Sequence, residues 1–153
     1  MNEVRWDRSR KAIGTTGNHL ILYDGVCGLC NRLNRFVLKR DAAGVFRFAS
    51  LQSNLGQSIL RAHGKDPGSL ETLYVVVHHG AKSPVLLSKS GAALFILETL
   101  RGPWRLAAVL RIFPRPLLDW AYYVVARNRY RVFGRYDHCL IPSSKYRSRF
   151  IDV

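Results

Sequence analysis

Two cysteines with two residues between them, Cys27 and Cys30, carry the most obvious chemistry of this chain, and Asp24 stands three residues ahead of the first. At helical pitch, residues three apart lie on one face, so both sulfurs share a side. The stretch Ile21-Leu22-Tyr23-Asp24-Gly25-Val26-Cys27-Gly28-Leu29-Cys30 reads as a short apolar strand, a tight turn and two cysteines opening a helix. A helix start presents unpaired N–H groups and a partial positive charge, which favour a thiolate over a thiol. Cys27, nearer the helix start and solvent, is expected to attack a disulfide, and Cys30, one turn inward, to resolve the mixed disulfide. Asp24 has two readings. Its carboxylate would accept the Cys30 proton as the mixed disulfide breaks, or, in an Asp-Gly turn pair, its side chain would cap the helix.

The run Asp24 to Cys30 resembles the Asp-x-x-Cys-x-x-Cys signature of the DCC family of predicted thiol-disulfide oxidoreductases. The tail Arg127-Asn128-Arg129-Tyr130-Arg131-Val132-Phe133-Gly134, followed by Asp137-His138-Cys139-Leu140-Ile141-Pro142, is similar to that family's C-terminal pattern. Together the two ends extend the resemblance over residues 19–142. It implies a thioredoxin-like fold, disulfide exchange, and a place for Cys139 close enough to exchange with Cys27. From the residues alone, Cys139 is equally a small buried side chain, and His138 an exposed surface histidine.

Two other readings of the cysteine pair compete with redox chemistry. A tetrahedral zinc site needs four ligands, commonly from two spaced pairs, and the only further cysteine is Cys139, beside His138. The pair would otherwise be structural thiols. The thiolate-favouring context makes the redox pair the favoured reading, with no bound cofactor, because the two sulfurs themselves carry the electrons. Its partners would be disulfide-containing proteins or glutathione-type thiols. Gly28 and Leu29, between the cysteines, leave the redox potential open.

The elements that must position these sulfurs can be read in order. Residues 1–17 are polar and without periodicity, a flexible lead-in to a single domain over 18–153. His19–Tyr23 is a strand buried on both faces, and Asn31–Arg40 continues the cysteine helix, with Leu29, Leu33, Phe36 and Val37 inward and Arg32, Arg35 and Lys39 outward. A strand over 45–49 follows, then a helix over 54–63 capped by Ser50 or Ser53. A strand over 73–78 and its antiparallel partner over 85–87 come next. Ser90 is a candidate N-cap for a helix over 91–100, Gly102-Pro103 starts another, and a last helix covers 117–130 with Gly134 as its stop. The first two crossovers imply parallel pairing and the last two strands a hairpin, so the sheet is mixed. The fold class is α/β: a thioredoxin-like mixed sheet flanked by helices, with extra C-terminal helices. Thioredoxin-like enzymes usually carry a cis-proline directly before the third strand; here Leu70-Glu71-Thr72 stand there, and the nearest proline is Pro67.

With 153 residues and 48% hydrophobic content, one domain can bury a core. Three cysteines do not make a secreted disulfide scaffold, and residues 1–17 contain no signal-like apolar run, so a cytoplasmic location is expected. The formal charge is +14, and residues 101–153 hold 11 Lys/Arg against 3 Asp/Glu. Such a surface attracts acidic protein, anionic lipid or nucleic acid, so a basic binding module is the alternative function. The interleaved Arg127-Asn128-Arg129-Tyr130-Arg131 is the feature closest to nucleic-acid binding, without a recognised motif. The apolar run from Leu117 to Ala126, broken by Asp119, is shorter than the about 20 residues a spanning helix needs. Core packing against the sheet is the expectation for the segment Trp104–Tyr130, ahead of an amphipathic helix on an anionic membrane.

Overall fold

A computed structural model describes residues 19–66, 68, 72–79, 84–100, 102–135 and 144–151. Strand β1 (His19–Tyr23) leads through a turn into α1 (Gly28–Arg40); β2 (Phe46–Ser50) and α2 (Asn54–Ala62) follow. Next come β3 (Tyr74–Val77), β4 (Val85–Ser88) and α3 (Lys89–Thr99). A 3-10 segment (Pro103–Ile112), α4 (Arg115–Phe133), a short 3-10 turn (Ser144–Arg149) and β5 (Phe150–Ile151) complete the order.

The five strands lie in the order β4-β3-β1-β2-β5. β1 pairs parallel with β2, and β3 and β4 form the expected antiparallel hairpin. The second crossover differs from expectation: β3 runs antiparallel to β1, with Tyr74 opposite Leu22. Tyr74 therefore sits near the end of β1, so the chain after α2 must return to that end before β3 begins. The connection over 63–73 is long enough, at roughly 3.3 Å per residue. β5, pairing parallel with β2, is an addition whose two-residue length leaves no periodicity to detect.

Side chains of β1 alternate between two cores, as a central strand requires. Ile21 and Tyr23 join Phe46, Phe48 and Val75 beneath α1 and α3. Leu20 and Leu22 join Ala49 and Val76 against Ile59 and Leu60 of α2. All five β1 residues are buried, and each fully buried Leu, Ile or Phe contributes about 1.5–3 kcal/mol. This pins the last residue of β1, and with it the turn that carries the cysteines.

Local signals mostly chose the helix ends. Ser53, not Ser50, caps α2, accepting the Gly56 N–H at 3.1 Å. Ser90 does not cap α3, which starts at Lys89, two residues earlier than expected; its hydroxyl donates instead to the Asp119 carboxylate of α4. Gly134, at φ 80°, ends α4.

The expectation that Trp104–Tyr130 packs into the core holds for one side only. Trp104 meets Phe36 edge-on at 4.8 Å, and Tyr122 packs on the sheet core. Leu106, Val109, Ile112, Leu117 and Trp120 are exposed. α4 has one inward stripe, and the 3-10 segment turns every three residues, so neither can bury all of its apolar side chains against a single layer. Among the described residues no helix is long and apolar enough to cross a membrane.

Candidate active site

The site grows from the C-terminal end of β1. After Tyr23 the chain turns through Asp24, Gly25 and Val26, and Cys27 is the N-cap of α1. The turn closes on itself: the Cys27 N–H donates to the Asp24 carbonyl at 3.2 Å and the Val26 N–H to Asp24 Oδ1 at 3.1 Å. Asn31 braces it from the first turn of α1, its Nδ2 donating to the carbonyls of Gly25 (3.1 Å) and Cys27 (3.0 Å). Gln52, just past β2, donates to Asp24 Oδ1 at 2.8 Å and accepts the Gly25 N–H at 3.2 Å.

The other oxygen of Asp24 is taken by α4. Arg129 Nη2 donates to Oδ2 at 3.4 Å, and the Tyr130 hydroxyl donates to the same oxygen. Asp24 and Arg129 are both buried, so each charge depends on the other. The helix-capping reading of Asp24 takes the form of a turn cap within residues 24–26. Its carboxylate already accepts four donors.

Cys27 and Cys30 lie side by side as free thiols. The Cys30 thiol, donating to the Cys27 sulfur, pulls the Cys27 pKa down to about 6, against the opposing effect of burial. The Cys30 and Leu29 backbone amides and the Arg129 charge act in the same direction. Cys30 is pushed up, first by that shared hydrogen bond, then by burial and by the Cys27 charge. One proton between two sulfurs therefore sits on Cys30. Exposure runs opposite to expectation: Cys27 is wholly buried and Cys30 only partly so.

The cover over Cys27 is the end of α4. The Gly28 N–H donates to the Gly134 carbonyl at 3.1 Å, and Cys27 forms an isolated antiparallel bridge with Arg135. A Cβ on Gly28 would collide with the Phe133 carbonyl. Gly28 is thus the residue that lets two backbones touch. On the other side, Cys30 lines a cavity of about 340 Å³ with Leu29, Leu33, Leu73, Tyr122 and Val125, and with Asp24 and Arg129. Thr72 and Leu73, directly before β3, reach this cavity. The Leu73 N–H donates to the Tyr122 hydroxyl at 2.7 Å, and burial pushes the Tyr122 phenol up to about 12.

The structure therefore brings Asp24, Cys27 and Cys30 together. Pro67, His138 and Cys139 lie outside the described residues. The Arg127–Arg131 interleaving does not form one cationic stripe, because Arg129 turns inward to Asp24 while Arg127 and Arg131 face out. Sequence reasoning missed Arg129, Tyr130, Gln52 and Asn31. The signal for the first two was the similarity of the tail to the family pattern, with Tyr122, Ala126, Arg129 and Phe133 at inward helical spacing. Among the described residues no three His, Cys, Asp or Glu side chains gather around a common point that would hold a metal ion.

A family model for DCC1-like thiol-disulfide oxidoreductases matches residues 21–135. The chain is 39% identical over 134 residues to the uncharacterized protein YuxK of Bacillus subtilis (strain 168), covering 88% of this chain and 94% of that protein. It is 37% identical over 121 residues to the DCC family protein At1g52590, chloroplastic, of Arabidopsis thaliana, covering 78% of this chain and 67% of that one. No solved structure matches. The matched span runs from β1, through the cysteine turn, to the Gly134–Arg135 crossing that covers it, and the chain belongs to the DCC1-like thiol-disulfide oxidoreductase family.

Proposed function

We propose that the chain is a dithiol–disulfide oxidoreductase in which Cys27 attacks and Cys30 resolves. One observation carries this reading: a helix-start sulfur with its pKa lowered to about 6, next to a partner held protonated. The Cys27 thiolate attacks one sulfur of a substrate disulfide; a Cys27–substrate bond forms, the substrate S–S bond breaks, and the departing thiolate takes up a proton. Cys30 then gives up its proton and attacks the Cys27 sulfur. A Cys27–Cys30 disulfide forms, and the second substrate sulfur leaves as a thiolate that takes up the proton released by Cys30. Two electrons have passed to the substrate, and a thiol such as glutathione or another dithiol protein restores the pair.

Exposure alone would favour Cys30 as the attacking sulfur, but protonation outweighs it. A protonated thiol is a poor nucleophile wherever it sits, whereas the cover over Cys27 is one crossing of backbone. Asp24 acts by holding the turn and the Arg129 charge rather than by taking the Cys30 proton, because its oxygens are already occupied. The apolar cavity beside Cys30 supports protein disulfides with apolar neighbours over charged glutathione as the substrate to be reduced.

The test is equilibration in graded redox buffers, followed by alkylation and mass mapping of each cysteine. A reversible two-electron transition confined to Cys27 and Cys30 is expected. In Cys30→Ser a mixed disulfide should accumulate on Cys27, and in Cys27→Ser it should not. If no Cys27–Cys30 disulfide forms at any accessible potential, the reading fails.

A further inference from the structure

The 3-10 segment and α4 carry two apolar ridges that nothing in the chain's described residues covers. In a 3-10 helix side chains three apart eclipse one another, so Leu106, Val109 and Ile112 form one ridge, at 71, 57 and 81% exposure. On α4, Leu117, Trp120 and Val124 follow helical spacing along the outward face, opposite Tyr122, Ala126 and Arg129. The same outward stripe continues into Arg127 and Arg131, both exposed. Both elements pack against α3, and only Phe113 and Pro114 lie between them in the chain. Phe113, half exposed, joins them in sequence.

Charge selects the occupant. Residues 102–135 contain seven arginines and a single acidic residue, Asp119, whose carboxylate is turned inward to Ser90. Arg129 is buried on Asp24 and Arg111 is paired with Glu98 at 2.5 Å; Arg105, Arg115, Arg127, Arg131 and Arg135 are exposed. A second copy of the chain would bring like charges face to face. Nucleic acid would find Leu, Val and Ile where hydrogen-bonding groups are needed. An anionic bilayer offers both requirements together: apolar depth for the ridges, and headgroup charge for arginines whose stems lie along them.

We propose that this face seats the protein on an anionic phospholipid surface, with Leu106, Ile112, Leu117 and Trp120 entering the acyl boundary and Arg127 and Arg131 at the headgroups. The inference is independent of the redox reading, since none of these side chains belongs to the cysteine site.

Flotation of the full chain with vesicles of phosphatidylcholine alone, or mixed with phosphatidylglycerol, tests it, alongside light scattering of the free protein. Binding is expected on the mixed vesicles, weakening as salt rises, with little on the neutral ones. Ile112→Ser combined with Trp120→Ser should lower partition by about tenfold or more, and Arg127→Gln with Arg131→Gln should remove the preference for anionic lipid. Quenching of tryptophan emission by bromine-labelled acyl chains gives a readout in the unsubstituted protein. The proposal is overturned by absence of vesicle binding, or by binding that the Ile112 and Trp120 substitutions leave intact. A dimer in solution that Ile112→Ser dissociates would overturn it too, by assigning the face to a second copy.

Discussion

Two buried aspartates pair with arginines more than a hundred residues away, and they lie at opposite ends of the parallel β1–β2 pair. Asp24, after β1, meets Arg129 of α4; Asp41, after α1, meets Arg149, ahead of β5, at 2.5 Å. Both carboxylates also bind backbone N–H groups: Val26 for Asp24, Val45 and Phe46 for Asp41. The Asp41 pair ties β5 to the sheet and, among the described residues, has no thiol beside it; Arg149 also donates to the Phe46 carbonyl at 2.8 Å. The Asp24 pair has the same chemistry but a different neighbour. Its arginine lies within electrostatic reach of both cysteines and lines the cavity beside Cys30. One ion pair therefore serves architecture alone, and the other couples architecture to the sulfur chemistry.

The largest effects should come from breaking each pair. Asp24→Asn leaves Arg129 buried without its counter-charge and should cost about 3–5 kcal/mol in denaturant unfolding. Asp41→Asn should cost less, because Arg149 is the more exposed of the two arginines. Equal costs would mean that burial of the arginine is not what separates the two pairs.

Gly28→Ala comes next. Its methyl would meet the Phe133 carbonyl, and backbone shifts of this kind cost about 1–3 kcal/mol. The α4 end should lift from α1, and Cys27 should react faster with a neutral alkylating agent per unit of thiolate. Unchanged reactivity would show that the crossing does not guard the sulfur.

Thiolate absorbance against pH sharpens the comparison further. The reduced protein should show a midpoint near pH 6 from Cys27. Cys30→Ala removes the largest cause and should carry the midpoint well up toward the ordinary thiol value of 9.0. Arg129→Gln should move it upward by less, and Arg149→Gln not at all, since only Arg129 acts on Cys27. A midpoint that ignores Arg129 would reduce the Asp24 pair to the same architectural role as the Asp41 pair.

A pH dependence of stability in the reduced state completes the set. Cys27 has a folded pKa below its unfolded value, so its contribution is full above about pH 9 and is lost as pH falls through about 6. Cys30 has the opposite sign: its contribution is present below about pH 9 and declines as pH rises beyond it. Reduced protein should therefore gain stability between pH 6 and 9 relative to a Cys27→Ala, Cys30→Ala variant, as read by melting temperature. A flat difference across that range would argue against the shared proton.

Much of the fold and of the site is legible in the residues themselves. The alternation around Ile21, the apolar spacing of α1 and the Gly134 stop reflect interactions within a few residues, which periodicity and turn chemistry report directly. The position of Cys27 at a helix start is equally local. The roles of the tail are not legible in this way, because Arg129 reads like Arg127 or Arg131 until a partner is found for its face. The burial of Cys27 escapes notice for the same reason: its cover arrives from residues 133–135.

By itself, the chain's sequence determined the strand–turn–helix unit, the spacing that sets Cys30 beside Cys27, and the alternation of strands with helices, since all rest on hydrogen bonds and side-chain periods spanning one or two turns. Only the tertiary structure decided the direction of β3, the pairing of Asp24 with Arg129, and which sulfur is covered. Those depend on which faces meet across roughly fifty to a hundred residues of chain. Local patterns say that a face is apolar or charged, but packing selects its partner.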